Sequence, residues 1–112
     1  MDSHVMLVFS NPIEGREEEF NAWYEGTHIP EVLGTPGVVA ARRYQAAQLD
    51  APGFPAPPQK YLAVYELSGD PAKVLAAMNE RGQSGEISRG EATDRESVSM
   101  FIYSARTDRI TE

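Results

Sequence analysis

Strands near both ends of the chain are apolar on both of their faces. In residues 5–10 (VMLVFS) the two alternating sets of side chains are largely hydrophobic, and the same holds for residues 98–104 (VSMFIYS). A sheet that has one face open to water carries polar side chains in one alternating set of each strand. The sequence therefore predicts a sheet that is covered on both faces.

The order of the predicted elements identifies the fold class. Amphipathic helical patterns follow the first and the third predicted strand. The order β-α-β-β-α-β is the ferredoxin-like unit, an α+β fold with a four-stranded antiparallel sheet and both helices on one face. Short runs rich in strand-forming residues predict the strands at residues 5–10, 38–46, 61–67 and 98–104.

Helix boundaries follow from capping residues and prolines. The first helix is predicted over residues 14–26, with a short second piece at 30–33, because Pro30 interrupts the regular hydrogen bonding. Asp70 followed by proline is typical of a helix start, and Gly82 is expected to end that helix.

The chain is long enough for one domain with a modest core, which we place over residues 1–112. The helices cover one face of the predicted sheet. The simplest way to bury the other face is against the same sheet of a second copy of the chain, because most oligomers are symmetric dimers. Two such sheets packed face to face form a dimeric α+β barrel, so we expect a homodimer.

Composition argues against several classes of function. The net charge of −7 disfavours nucleic acid and anionic membrane surfaces as partners, since both are bound by clustered Lys and Arg. The chain contains no Cys, so we expect neither disulfides nor thiolate chemistry. It has no apolar run of about 18 residues, and its first residues lack the basic region and cleavage site of a signal peptide. We therefore expect a cytoplasmic location and no membrane partner.

The stretch NAWYEGTHIPEVLGTPGV, residues 21–38, joins an aromatic pair to a His-x-Pro sequence and a Pro-Gly turn. In this it resembles the EthD-like branch of the dimeric α+β barrel superfamily, with a likeness that extends over residues 5–45. The resemblance implies a homodimer with a ligand cavity between sheet and helices. Members and relatives include isomerases, polyketide cyclases, quinone-forming monooxygenases and haem-degrading enzymes, so it implies the fold more firmly than the reaction.

His28 is the candidate proton-transfer residue. Imidazole is the side chain whose ordinary pKa lies nearest neutrality, and the resemblance makes His28 the motif histidine. On a continuous helix His28 lies one turn after Tyr24, so the two share a face. The alternative is a histidine that caps the broken helix or bonds a backbone carbonyl. We assign His28 and Tyr24 as the candidate catalytic residues.

Aromatic side chains and one arginine are the candidate substrate-binding residues. Helical spacing favours Trp23 as a core residue, although one member of the aromatic pair could line the cavity. The strand tyrosines have hydroxyls that need partners when buried, either on a ligand or across the dimer interface. Arg42 and Arg43 point to opposite faces of one strand, so at most one enters the cavity, where it would suit an anionic substrate. The candidates are Trp23, Arg42, Tyr61, Tyr65 and Tyr103.

The sequence has no GxGxxG or P-loop pattern, and its two His residues are far apart. We therefore expect no cofactor and no metal site. Together with His28 as the candidate proton-transfer residue, the resemblance implies a small cofactor-independent isomerase, cyclase or lyase, which acts on an aromatic, polyketide or lactone-like molecule by His-mediated proton transfer. The alternatives are a protein that binds or carries a small hydrophobic ligand, a haem- or quinone-related monooxygenase, and a structural dimer with a filled core.

Overall fold

A computed structural model describes residues 3–112 of the chain. Its four strands are β1 (Ser3–Pro12), β2 (Val38–Gln45), β3 (Tyr61–Ser68) and β4 (Thr93–Ser104). They form one antiparallel sheet in the order β2-β3-β1-β4. This confirms the predicted α+β fold of the ferredoxin-like type, which dimeric α+β barrel proteins share.

The helical segments lie on one face of this sheet. They are α1 (Glu17–Trp23), a π-helical turn (Tyr24–His28), α2 (Ile29–Leu33) and α3 (Pro71–Ser84). Asp70 caps α3 as predicted, since its side chain accepts a hydrogen bond from the Ala72 N–H at 2.9 Å. Within residues 3–112, no helix combines the length and the apolar character needed to cross a membrane.

The predicted interruption at Pro30 takes a different form in the structure. The helical path runs without a break from α1 through the π-helical turn into α2, and Pro30 lies in the first turn of α2. A proline removes one hydrogen bond and clashes with a preceding carbonyl in a regular α-helix. The wider π-helical turn before Pro30 changes the hydrogen-bond pattern, so the chain continues in a helical conformation.

Several element boundaries differ from the prediction, and α1 begins at Glu17 rather than at residue 14. β1 continues to Pro12 past a bulge, where the Asn11 side chain accepts from the Lys60 N–H at 2.7 Å and so ties the strand to the chain before β3. α3 passes through Gly82 and ends before Gly85, whose φ of 87° is left-handed. β4 begins at residue 93, because its polar first residues also pair with β1.

The core lies between the helices and one face of the sheet. The alternating set of β3 that was predicted to share a face is buried there, and Phe20 of α1 is completely enclosed. The buried apolar residues form one cluster: Met6, Val8, Phe20, Tyr24, Val32, Val38, Tyr61, Ala63, Tyr65, Leu67, Val74, Met78 and Ala92.

The opposite face of the sheet is not covered by any of the described elements. It carries Phe101 and Tyr103, whose exposed fractions are 50% and 60%. Phe9 packs edge to face against Phe101, with ring centroids 6.3 Å apart. The sheet therefore has a second apolar face, as the alternation of its terminal strands predicts.

Gly37 is required where β2 begins beneath α3. Its φ is +94°, and an added Cβ would lie 2.4 Å from a methyl carbon of Val74. Gly69 also has a positive φ, of +81°, but its Cβ would meet nothing within 4 Å.

We expect Gly69→Ala to lower the free energy of unfolding by about 1–2 kcal/mol through backbone strain alone. Gly37→Ala should lower the free energy of unfolding by about 1–3 kcal/mol more than Gly69→Ala does, because the added methyl group also overpacks the contact with Val74. Urea unfolding of both variants measures the difference, and equal losses would contradict it.

Candidate functional site

A cavity of about 650 Å³ lies between the sheet and the helices, within the range typical of small-molecule sites. Its walls are mainly apolar and include a few hydroxyls, one imidazole and two guanidinium groups. Every strand except β2 and every helical segment contributes to it. The buried residues in its walls are Met6, Val8, Ser10, Tyr24, Val32, Tyr65, Met78 and Gly90.

The π-helical turn positions the aromatic side chains of the cavity. Its hydrogen bonds join residues five apart, as between the Ile29 N–H and the Tyr24 carbonyl. Trp23 and His28 are also five residues apart, and their rings stack with centroids separated by 4.5 Å. Tyr24 meets the His28 ring edge to face at 5.0 Å. Two aromatic rings therefore fix the imidazole.

The environment of His28 favours its uncharged form. Burial lowers the pKa of His28 from its ordinary value of 6.5, and the nearby Glu31 carboxylate and the Ser88 backbone oppose this only in part. The imidazole Nδ1 is buried and has no hydrogen-bond partner among residues 3–112. A neutral imidazole has one nitrogen that can accept a proton. His28 is therefore suited to act as a base toward a ligand.

A carboxylate lies beside the imidazole and is itself held in place. Ser88 donates its backbone N–H and its hydroxyl to Glu31 Oε1 at 2.9 and 2.8 Å. These two bonds lower the pKa of the Glu31 carboxyl, which stays ionised. The Trp23 Nε1–H donates to Ser88 Oγ at 3.4 Å. The segment between α3 and β4 thus anchors both the carboxylate and the indole next to His28.

Hydroxyl groups line the sheet side of the cavity. Burial raises the pKa of both Tyr24 and Tyr65, and at Tyr24 the neighbouring hydroxyls of Tyr65 and Ser10 and the charge of Arg43 reduce the rise. Both phenols therefore remain protonated at neutral pH. The hydroxyls of Ser10, Tyr65 and Thr93 are buried without a partner in hydrogen-bond geometry among the described residues. Because buried hydroxyls normally have partners, these groups are suited to bind an oxygen atom of a ligand.

Arg43, rather than Arg42, is the arginine of β2 that faces the helices. Its guanidinium lies over the Tyr24 ring, with 4.4 Å from Cζ to the ring centroid. It donates to Asn21 Oδ1 and Glu25 Oε2 at 2.8 Å each. Arg43 therefore packs behind Tyr24, outside the cavity lining, and supplies a positive charge next to that phenol.

The structure brings four of the seven candidate residues together and places the other three outside the cavity. Trp23, Tyr24, His28 and Tyr65 all line the cavity.

Arg42 and Tyr103 do not line the cavity, because strand alternation directs both to the uncovered face of the sheet. There Arg42 lies over the Tyr44 ring, with 5.5 Å from Cζ to the centroid. Tyr61 is buried on the helix side but lies outside the cavity, since its hydroxyl bonds to Glu17 and accepts from Asn21 Nδ2 at 3.1 Å. The structure therefore places these three residues outside this cavity, and their role in ligand binding stays a prediction.

Several cavity residues were missed by sequence reasoning. Ser10 could have been found, since it belongs to the same alternating set of β1 as two buried apolar residues. Ser88, Arg89 and Arg95 lie in a polar stretch without periodicity, and no pattern in it indicates a site. Their position depends on how the chain between α3 and β4 folds back over Trp23.

No group of three or more His, Cys, Asp or Glu side chains within residues 3–112 is placed to hold a metal ion. A second depression, of about 560 Å³, lies along the proline-rich chain between β2 and β3. It includes none of the candidate residues. The chemistry-bearing side chains are thus concentrated in the cavity beside Trp23.

Comparison of the sequence with protein-family models gives no match, and comparison with curated proteins gives none either. Solved structures do match. An ethyl tert-butyl ether D (EthD) family protein from Bacillus halodurans is 15% identical with a TM-score of 0.63, over 94% of this chain and 99% of the other. An EthD-like protein from Ralstonia eutropha is 16% identical with a TM-score of 0.62, over 97% of both chains.

A further similar structure is that of SnoaB, a cofactor-independent oxygenase from Streptomyces nogalater, in an N63A mutant form. It is 15% identical with a TM-score of 0.65, over 96% of both chains. At these identities the likeness is one of fold. The chain thus has the fold of EthD-like and related dimeric α+β barrel proteins, which confirms the resemblance at that level. The chain therefore combines this fold with a cavity whose volume is typical of small-molecule sites.

Gly90 allows Trp23 to take its place in the cavity wall. A Cβ at Gly90 would lie 2.6–2.8 Å from three carbons of the indole, whereas a Cβ at Gly82 would meet nothing within 4 Å. We expect Gly90→Ala to displace the indole, shift its fluorescence and lower the free energy of unfolding by about 1–3 kcal/mol. Gly82→Ala, inside α3, should leave the fluorescence unchanged and raise the stability by up to about 1 kcal/mol. The same fluorescence spectrum in both variants would contradict this role for Gly90.

Proposed function

We propose that the protein is a small cofactor-independent enzyme that moves a proton on an aromatic, polyketide or lactone-like molecule. The observation that supports this most directly is the uncharged His28 ring in the wall of a mainly apolar cavity. A general base must be deprotonated at the working pH and within reach of the substrate proton. His28 takes the proton, and Trp23 and Tyr24 hold the imidazole in position.

The hydroxyl groups of the cavity complete the proposed chemistry. When a proton leaves a carbon next to a carbonyl, negative charge develops on the carbonyl oxygen. Tyr24 and Tyr65 stay protonated and can donate hydrogen bonds to that oxygen. The Arg43 guanidinium carbon Cζ lies 4.4 Å from the Tyr24 ring centroid, and its positive charge favours negative charge on that oxygen. Donors fixed by packing stabilise the enolate without having to reorganise.

Oxygenation of the same carbanion by dioxygen is the second candidate. It is supported by the fold shared with SnoaB, a cofactor-independent oxygenase. The first step is again removal of a proton by His28. For anthrone, a planar aromatic ketone with an acidic CH₂ group, one dioxygen then gives anthraquinone and water. The two candidates differ in whether the carbanion is reprotonated or oxidised.

A second copy of the chain is the proposed cover for the open face of the sheet. Phe101 and Tyr103 expose half or more of their surface on that face, and an apolar face of this kind is stabilised by burial. The fold shared with EthD-like proteins supports the same arrangement. We propose that two sheets pack face to face as a homodimer.

Replacement of His28 tests the proposed base. Anthrone in D₂O without oxygen exchanges its CH₂ protons, and NMR measures the acceleration by the protein. We expect His28→Gln to slow the catalysed exchange at least about 100-fold, the loss typical of a missing general base. His4→Gln is the matched control, because His4 bonds the Ser104 hydroxyl outside the cavity and should exchange at the wild-type rate.

Two outcomes of this experiment contradict the proposal: no acceleration by the wild-type protein, or equal rates for His28→Gln and the wild type. Circular dichroism of His28→Gln should match that of the wild type, so that its slower rate reports the loss of the base. Admission of oxygen then separates the two candidates. Anthraquinone with matching oxygen consumption supports the oxygenase, and exchange without oxygen consumption supports the isomerase, cyclase or lyase.

Sedimentation equilibrium tests the proposed homodimer. We expect the wild-type mass to be twice that of the chain, and Phe101→Glu to yield folded monomers, because a buried unpaired carboxylate is costly. Leu75→Glu places the same charge at an exposed apolar position on α3 and should leave the dimer intact. A monomeric wild-type protein, or a dimeric Phe101→Glu variant, would contradict the face-to-face arrangement.

A further inference from the structure

Among residues 3–112, two arginines are the only charged residues in the cavity wall. Arg89 lies in the segment between α3 and β4, and Arg95 lies near the start of β4. Both are exposed, whereas the hydroxyl-bearing part of the cavity is buried. The guanidinium groups therefore stand at the rim of the cavity, and the hydroxyls lie at its base. No Asp or Glu of the described part of the chain lines the cavity.

Neither arginine has an ion-pair partner among the residues that the structure describes. The ion pairs among residues 3–112 are Arg16–Glu19, Arg43–Glu25, Lys60–Glu17 and Arg81–Glu86. Arg89 and Arg95 take part in none of these, although Glu91, Asp94 and Glu96 are close in sequence. The side chains of both also lack hydrogen bonds to the described residues. Their ten N–H donors are thus available to a ligand.

The net negative charge of the chain makes two arginines at the cavity an unusual local feature. At a net charge of −7 the protein repels anions on average. A cationic rim around an apolar cavity reverses that effect locally, since low-dielectric walls concentrate the field of nearby charges. Guanidinium groups match the planar geometry of a carboxylate and bind it through paired hydrogen bonds. These two guanidinium groups therefore favour a ligand that carries negative charge.

We propose that the ligand of this cavity is an aromatic carboxylate, whose carboxylate group binds Arg89 and Arg95 at the rim while its ring enters beside Trp23 and His28. The proposal rests on the proposed function, because it specifies the substrate class of the same site. It places the charged end of the substrate toward water and a carbonyl or phenol oxygen toward the hydroxyls of Ser10 and Tyr65.

A pair of matched probes tests this inference without turnover. The probes are 6-hydroxy-2-naphthoate and its primary amide, which share the ring and the phenol and differ in charge. Trp23 is the only tryptophan of the chain, so its indole N–H gives a single NMR cross-peak that reports binding in the cavity. We expect the carboxylate to bind at least ten times more tightly than the amide at low salt. This preference should decrease as sodium chloride rises, because salt screens exposed charges.

Variants of Arg89 and Arg95 test whether these two residues cause the tighter binding of the carboxylate probe. Arg89→Gln and Arg95→Gln should each weaken binding of the carboxylate several-fold, and the double variant should bind both probes equally. Binding of the amide should stay unchanged in all three. Arg109→Gln removes an exposed arginine of the C-terminal tail and should leave both affinities at the wild-type value.

The outcomes separate this inference from the proposed function. Equal binding of the two probes to the wild-type protein, or a preference that persists in the double variant, would overturn the inference while the cavity and His28 keep their proposed role. Failure of both probes to shift the Trp23 cross-peak at millimolar concentration would overturn the inference together with the proposed aromatic-binding function.

Discussion

The stack of the Trp23 indole on the His28 imidazole is the contact on which the cavity depends. It requires a π-helical turn, because residues five apart do not lie above one another in a regular α-helix. It also requires a glycine at position 90, where the indole lies against the backbone. Ser88 then connects the indole to Glu31 through hydrogen bonds. A change in any of these features moves the imidazole relative to the sheet.

The electrostatic character of the cavity follows from the same packing. Burial keeps His28 uncharged and the two phenols protonated, so the interior holds one base and several hydroxyl donors without a fixed charge. Charged groups lie behind or around this interior: the Arg43 guanidinium beside Tyr24 and the ionised Glu31 carboxylate beside His28. The protonated phenols and the Arg43 guanidinium can stabilise negative charge that develops on a bound molecule, and the Glu31 carboxylate favours the imidazolium that forms when His28 takes up a proton.

The alternation and order of the elements were sufficient to predict the fold, but not the helical geometry of the site. The alternation along β3 predicts correctly that Tyr65 faces the helices. Regular α-helical spacing pairs His28 with Tyr24 and favours Trp23 as a core residue, whereas the π-helical turn brings Trp23 onto the imidazole as well. Nothing in single-residue propensities marks a π-helical turn. The rim arginines could not be predicted, because a segment without periodicity brings them to the cavity.

The protonation of His28 is the central claim, and an NMR titration of the two histidine rings tests it most directly. The His28→Gln variant assigns the resonances, since His4 is the only other histidine. The account predicts that His28 titrates below its ordinary pKa of 6.5, because burial disfavours the imidazolium. Glu31→Gln should lower the pKa further, since the carboxylate favours the charged ring. A His28 pKa at or above 6.5, unaffected by Glu31→Gln, would contradict the account.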